Sequence, residues 1–220
     1  MKCSNLVKCE LIMNETSNKI EAVDTVDERI QEWQYSWTPL PRELSYRLNN
    51  FSTDFKKKWQ IKAVTIAFRT WQWRLEKLKF RRERNPDAHV DMNIEWHDLD
   101  HFDGRKGVLQ HAYYPGQGNI SGDVHINDEW DYVANTNFQD LAHPPLLPPL
   151  IHEIGHGIGL THDPYDETDI MYPSFNLGRK KWKIGNRSVL RSQGRYGKRN
   201  LPDWIIKYFA NRRLTGVGFR

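Results

Sequence analysis

Residues 152–162 read His-Glu-Ile-Gly-His-Gly-Ile-Gly-Leu-Thr-His, and few stretches of this length restrict a fold so tightly. His152 and His156, four apart, fall on one face of an α-helix, so both imidazoles can reach a single metal ion, while Glu153 points toward the water that would fill an open coordination position. Gly159 lacks a Cβ and accepts the positive φ common where helices end, so the chain can swing back and bring in His162 as a third ligand. Three protein ligands leave room for water, the arrangement of a catalytic rather than a closed structural zinc. Beyond His162, the run Asp169-Ile170-Met171-Tyr172-Pro173 places Met171 where a tight turn would form a hydrophobic floor under the three histidines.

With these elements on one chain, the sequence resembles the matrixins, the matrix metalloproteinase family within the metzincin clan. The likeness continues through Leu44-Ser45-Tyr46-Arg47-Leu48, Ala67-Phe68-Arg69-Thr70-Trp71, Leu78-Lys79-Phe80, Phe102-Asp103-Gly104, Val108 to Gly116 and Gly122-Asp123-Val124-His125, covering the chain from near Trp37 to Tyr196. It implies an α/β (α+β) catalytic domain: a twisted, mostly parallel five-stranded sheet, two long helices and a C-terminal helix. The expected organisation is a flexible N-terminal extension over residues 1–36, the peptidase domain over 37–197, and a basic tail over 198–220. Independently, Trp59, Ala63, Ile66, Ala67, Trp71 and Leu75 or Leu78 recur at helical spacing with lysines and arginines between them, which predicts an amphipathic helix over 54–78.

The resemblance also implies further metals. A structural zinc would take His111 and His125, completed by His97 with Asp98 or Asp100 from a loop shorter than the family's. Adjacent residues of an extended segment point opposite ways, so His97 and Asp98 compete for the role. Calcium would draw on oxygen donors at Asp103, Gly104 and Val108, then Asn127, Asp128 or Glu129, with a second site at Asp91 and Asp123. The expected reaction is hydrolysis of internal peptide bonds, of extracellular-matrix-type proteins, by zinc-activated water with Glu153 as general base. Substrate would pair with the strand containing Val108, Leu109 and Ala112, facing a pocket wall at Pro173-Ser174-Phe175.

Composition bounds the rest. A chain of 220 residues builds a core without disulfide staples, and it holds only two cysteines. Cys3 and Cys9 stand in neither a zinc-ligand pattern nor the Pro-Arg-Cys-Gly context by which matrixin propeptides block their own zinc, so latency by a cysteine is not expected; a bridge between them and two thiols both remain open. No segment has the length of a membrane span, and Lys8 and Glu10 interrupt the only early apolar run, so an extracellular location rests on the family resemblance alone. Residues 179–220 carry thirteen Lys or Arg against the one acid Asp203, a net +12 that leaves −8 for residues 1–178 of a chain whose total is +4. That segment is either a solvated tail or an attachment site for an anionic polymer such as a glycosaminoglycan. The expected assembly is a monomer. Two alternatives stand beside the peptidase reading: a catalytically silent metal-binding scaffold acting through this tail, and, because Asp163 follows the third histidine, a domain nearer the adamalysins. Arg187 and Ser188 occupy the place of the paired aspartates by which the family's last helix supports the methionine turn.

Overall fold

The computed structural model describes residues 7–14, 19–24, 34–54, 56–133, 143–176 and 183–199. The strands are β1 (Lys8–Asn14), β2 (Lys19–Asp24), β3 (Glu43–Leu48), β4 (Lys79–Arg82), β5 (Met92–His97), β6 (Val108–Tyr113), β7 (Val124–Asn127) and β8 (Ser174–Asn176); the helices are α1 (Lys57–Gln72), α2 (Leu147–Gly157) and α3 (Asn186–Tyr196). Period-two patterning shapes the sheet. In β5, Met92, Ile94 and Trp96 are buried while Asn93, Glu95 and His97 alternate with them on the half-open face. The sheet runs β4-β3-β5-β7-β6-β1-β2-β8. β4, β3, β5 and β7 pair in parallel, and β6 closes this group antiparallel to β7, which is the expected five-stranded, mostly parallel unit.

Three more strands continue past β6. β1 pairs antiparallel with β6, with Cys9 opposite Ala112 and Glu10 opposite His111; β2 returns antiparallel to β1, and β8 pairs with β2. Every residue of β6 is consequently buried, although it ends the five-stranded unit. This corrects the expectation of a flexible N-terminal extension: residues 8–14 and 19–24 form a hairpin whose backbone donors and acceptors pair with the sheet, as an unsatisfied strand edge favours. The basic tail expected over 198–220 lies outside the described residues from residue 200 onward.

Helix α1 is shorter than the predicted 54–78. Leu75 and Leu78 are buried from an irregular segment after the helix, Leu75 bridging to Lys198, so their burial extends the apolar period beyond the helical backbone. Lys58 and Lys62 place their ammonium groups over the Trp59 ring, 4.8 and 5.0 Å from its centroid, which leaves Trp59 half-covered rather than in the core. The core face is Ala63, Val64, Ala67, Phe68 and Trp71. Among the described residues no helix is long and apolar enough to cross a membrane.

Helix α2 is buried along all of its 11 residues. It opens with Pro148 and Pro149 in its first turn, where a missing N–H removes no helical bond, so the proline run is tolerated. Trp71 Nε1 donates to Ile151 O at 2.8 Å and ties α1 to α2. A Cβ built on Gly155 would lie 2.4 Å from Met171 Sδ and 2.9 Å from Trp71 Cζ2, so α2, α1 and the methionine turn interlock at a point that admits no side chain. Gly155→Ala should therefore lower unfolding free energy by about 1–3 kcal/mol through overpacking, as measured by chemical denaturation.

Candidate metal centres and the cleft

Helix α2 and the turn that follows it bring the three sequence-predicted histidines together. The helix ends at Gly157, Gly159 has φ +100°, and its N–H donates to His156 O at 2.8 Å, so the chain reverses as a glycine permits. His152 and His156 are fully buried. Their Nδ1 atoms lie 2.6 Å from Ile170 O and 2.7 Å from Leu160 O. A carbonyl oxygen only accepts, so both rings carry hydrogen on Nδ1 and both present a lone pair at Nε2. Those two Nε2 atoms are 2.9 Å apart. Two lone pairs at that distance repel, and a shared cation converts the repulsion into two bonds. Burial, then the neighbouring imidazoles, hold the rings neutral, His152 pushed down to about 3 and His156 well below the usual histidine value.

Met171 is fully buried beneath them, its N–H donating to Asp169 Oδ1 at 3.0 Å and its carbonyl accepting from Asp163 N at 2.8 Å. Glu153 is fully buried on the same helix. The fourth member of the cluster comes from the hairpin: Cys9 Sγ is 3.4 Å from His162 Nε2 and 3.9 Å from His152 Nε2, and Cys9, His152, His156 and His162 form one group of ligand atoms close enough to share an ion. The expectation that Cys9 stands apart from the zinc is thus corrected. Its flanking residues match no familiar motif, and only strand pairing, Cys9 across from Ala112, carries the thiol to the triad.

The hairpin is held by charge as well as by backbone. Glu10 is 2% exposed and receives Arg105 Nη1 and Nη2 at 2.6 and 2.7 Å, with Lys8 Nζ at 2.8 Å. Burial pushes the Glu10 carboxyl up, but Arg105 and Lys8 outweigh it and hold it below the ordinary range. Of the residues expected to bind substrate, Leu109 and Ala112 lie on β6, where β1 occupies their backbone edge, and Leu109 packs with Leu11, Met13 and Ile20 of the hairpin. On the other wall, Pro173 O accepts from Ala22 N at 2.7 Å and Phe175 pairs with Ile20 through its backbone.

A second histidine group sits where β5, β6 and β7 adjoin the turn Leu99–Phe102. His101 Nε2, His111 Nε2 and His125 Nδ1 form a triangle with sides of 2.8, 3.1 and 3.3 Å. Three neutral ring nitrogens in mutual contact cannot all be satisfied by their own few protons, whereas one cation satisfies three lone pairs. Burial leads in depressing all three: His125 to about 3, His101 to about 4, and His111 well below its usual value. His97 stacks on His101 with centroids 3.9 Å apart and its Nε2 is 3.1 Å from Glu95 Oε2. His97, His101 and His125 also fall within ion-sharing distance of one another. Asp98 is not among them: it is exposed and accepts from His101 N, capping the turn that delivers His101. His101 is absent from the ligand set expected from the sequence; the 3-10 turn over Leu99–Phe102 is what delivers it to the group.

Several residues of the two expected calcium sites already have oxygens engaged in hydrogen bonds within the fold. Val108 O already accepts from Asn127 Nδ2 at 2.8 Å and Trp130 Nε1 at 3.0 Å, and Asn127 Oδ1 accepts from Glu129 N at 3.1 Å, so these donors serve the fold. Asp103 and Gly104 form an exposed left-handed corner, φ +55° and +72°. Asp91 Oδ2 accepts from Ser45 N and Oγ, each at 2.6 Å. Asp123 accepts from Asn93 N at 2.6 Å; burial nevertheless pushes its carboxyl up to about 7, a state that a nearby cation would relieve.

Buried histidines paired on one helix, a third beyond a glycine reversal and a methionine floor are the architecture of a metzincin catalytic domain. The comparisons narrow it: the profile of the matrixin peptidases matches residues 36–197, and the chain belongs to that family. It is 30% identical to matrix metalloproteinase-18 of Xenopus laevis over 73% of this chain and 34% of that protein. Human neutrophil collagenase is 35% identical over 60% of this chain and 27% of its own length. Rat stromelysin-1 is 35% identical over 74% and 34% respectively. The chain thus spans about a third of the length of the relatives it matches. The family implies a catalytic zinc and calcium, and both histidine groups have the donor chemistry for a metal.

His101→Ala should release one of the bound metal ions, counted by plasma emission on purified protein, whereas Asp98→Ala should keep the count and cost only a helix-cap increment of about 1 kcal/mol.

Proposed function

We propose that this chain is a zinc-dependent endopeptidase held latent, in the conformation described, by its own N-terminal hairpin. The observation that carries the reading is the pair of Nε2 lone pairs on His152 and His156, 2.9 Å apart and locked by backbone carbonyls on their far sides, with His162 completing the set. His152, His156 and His162 would hold the ion. When bound there, zinc supplies Lewis acidity, polarising the scissile carbonyl and acidifying the attacking water.

The remaining work falls to the chain. Glu153, buried beside His152 in sequence, takes the proton from the attacking water and delivers it to the leaving amine. The β6 edge binds an extended substrate by backbone hydrogen bonds, and the segment from Pro173 to Phe175 walls the opposite side. The hairpin supports this assignment of the edges, since β1 takes β6 and β2 takes β8 as a strand-forming ligand would. Turnover then requires the hairpin to leave, and the Cys9 thiol beside His162 holds it in place. Peptide bonds of extracellular-matrix proteins are the proposed substrates, in an extracellular setting; the support is the kinship with proteins named collagenase and stromelysin.

The test uses a quenched fluorogenic collagen-like peptide. Cys9→Ser should raise kcat/KM by about tenfold or more, since an intramolecular blocker acts at an effectively millimolar concentration. Adding Glu153→Ala to that protein should cut turnover by about 10²–10⁴-fold with zinc retained, and 1,10-phenanthroline should abolish it. Zinc bound in Cys9→Ser without turnover on a broad peptide library would replace this reading with the silent scaffold.

A further inference from the structure

The segment that carries His162 is gripped from α3. Asp163, the residue after the third histidine, is completely buried, an expensive place for a carboxylate unless cations face it. Arg187 Nε lies 3.2 and 3.0 Å from its two oxygens, and Arg191 Nη1 3.5 Å from Oδ2. Arg187 and Arg191 are four apart on α3, so they reach the same side. Arg191 does more: its Nη2 donates to Thr161 O at 2.6 Å and Thr161 Oγ1 at 3.1 Å, and its Nη1 to His162 O at 3.4 Å. One guanidinium fork therefore holds the carbonyls of both peptide bonds that flank His162. Through its own N–H, Asp163 also joins the methionine turn at Met171 O, 2.8 Å away.

We propose that Asp163, Arg187 and Arg191 are positioning residues that fix the third histidine relative to α2 and so set the zinc affinity of the triad. The proposal rests on the zinc reading of that triad. His152 and His156 are placed by a rigid helix, but His162 follows a reversal at Gly159 and depends on tertiary ties for its position. The α3 position at which the resemblance implies acids carries Arg187 instead, and an acid stands across the interface at Asp163. Arg195, on the same helix, donates instead to Ser36 Oγ and Trp37 O and serves as the internal control.

The experiment measures the zinc dissociation constant by chelator competition, and the visible absorption of the cobalt-substituted triad, in the Cys9→Ser protein so that the thiol contributes to neither. Arg191→Ala should weaken zinc binding by about 10–100-fold and alter the cobalt spectrum, the usual scale for removing a group that orients a ligand. Arg191→Lys should recover only part, because an ammonium cannot hold several acceptors as a planar fork does. Arg195→Ala should leave both readouts as they were. Zinc affinity in Arg191→Ala within about twofold of the parent, or an equal loss in Arg195→Ala, overturns the proposal. If Arg191→Ala fails to fold, the half-exposed Arg187→Gln decides: weakened affinity supports the clamp and unchanged affinity refutes it. Because affinity is read without turnover, a protein lacking the clamp but cleaving peptide leaves the endopeptidase reading standing, and one binding zinc through the clamp without cleaving peptide removes only that reading.

Discussion

Everything at the centre of this molecule follows from one electrostatic demand: imidazole lone pairs driven together in a buried place need a cation. The carbonyls of Ile170 and Leu160 take the Nδ1 hydrogens of His152 and His156 and thereby turn both Nε2 lone pairs onto one point. Those two carbonyls belong to the methionine turn and to the reversal after Gly159, so the two segments that complete the site also choose the tautomers of the helix that begins it. Met171 Sδ pressed against Gly155 keeps turn and helix in contact. Loss of any of these pieces would unbalance the others, which is why the motif spans helix, glycine, third histidine and methionine rather than the first histidine pair alone.

The cleft shows a second constraint, the unpaired edge of β6. A strand edge buried beside a metal site pairs with whatever extended chain reaches it first, and here the hairpin is tethered to the same molecule. Its buried charge is met from both sides: Glu10 carries Lys8 from the hairpin itself and receives Arg105 from the loop before β6, so the hairpin docks without leaving a buried charge alone. The thiol of Cys9 arrives at the triad as a consequence of that register, Cys9 opposite Ala112.

How much of this was readable in the sequence divides along the range of the interaction. The zinc helix, Gly159 and Met171 were legible because helical spacing, a positive φ and a turn are local properties. The five-stranded unit was legible through motif order. Cys9 was not, since its role is created by pairing between residues about a hundred positions apart, and pairing register leaves no mark on the flanking residues Lys8 and Glu10. His101 was hidden by a single turn of 3-10 helix, which rotates it inward and sends Asp98 to the surface as a cap. Val108 and Asn127 have the oxygen atoms a calcium site needs, but their hydrogen bonds to each other and to Trp130 cannot be inferred from residue type. The helix predicted over 54–78 ran long because burial of Leu75 and Leu78 mimics helical periodicity while the backbone has already left the helix.

The central claim is that His152, His156 and His162 bind zinc together with the Cys9 thiol in the latent chain, and zinc K-edge X-ray absorption of the purified protein tests it most directly. The account predicts a sulfur scatterer at about 2.3 Å beside nitrogens at about 2.0–2.1 Å. That sulfur shell should vanish in Cys9→Ser while the nitrogen shell remains. A zinc environment of nitrogen and oxygen alone in the unaltered chain would contradict the account, because the hairpin would then not be seated on the metal.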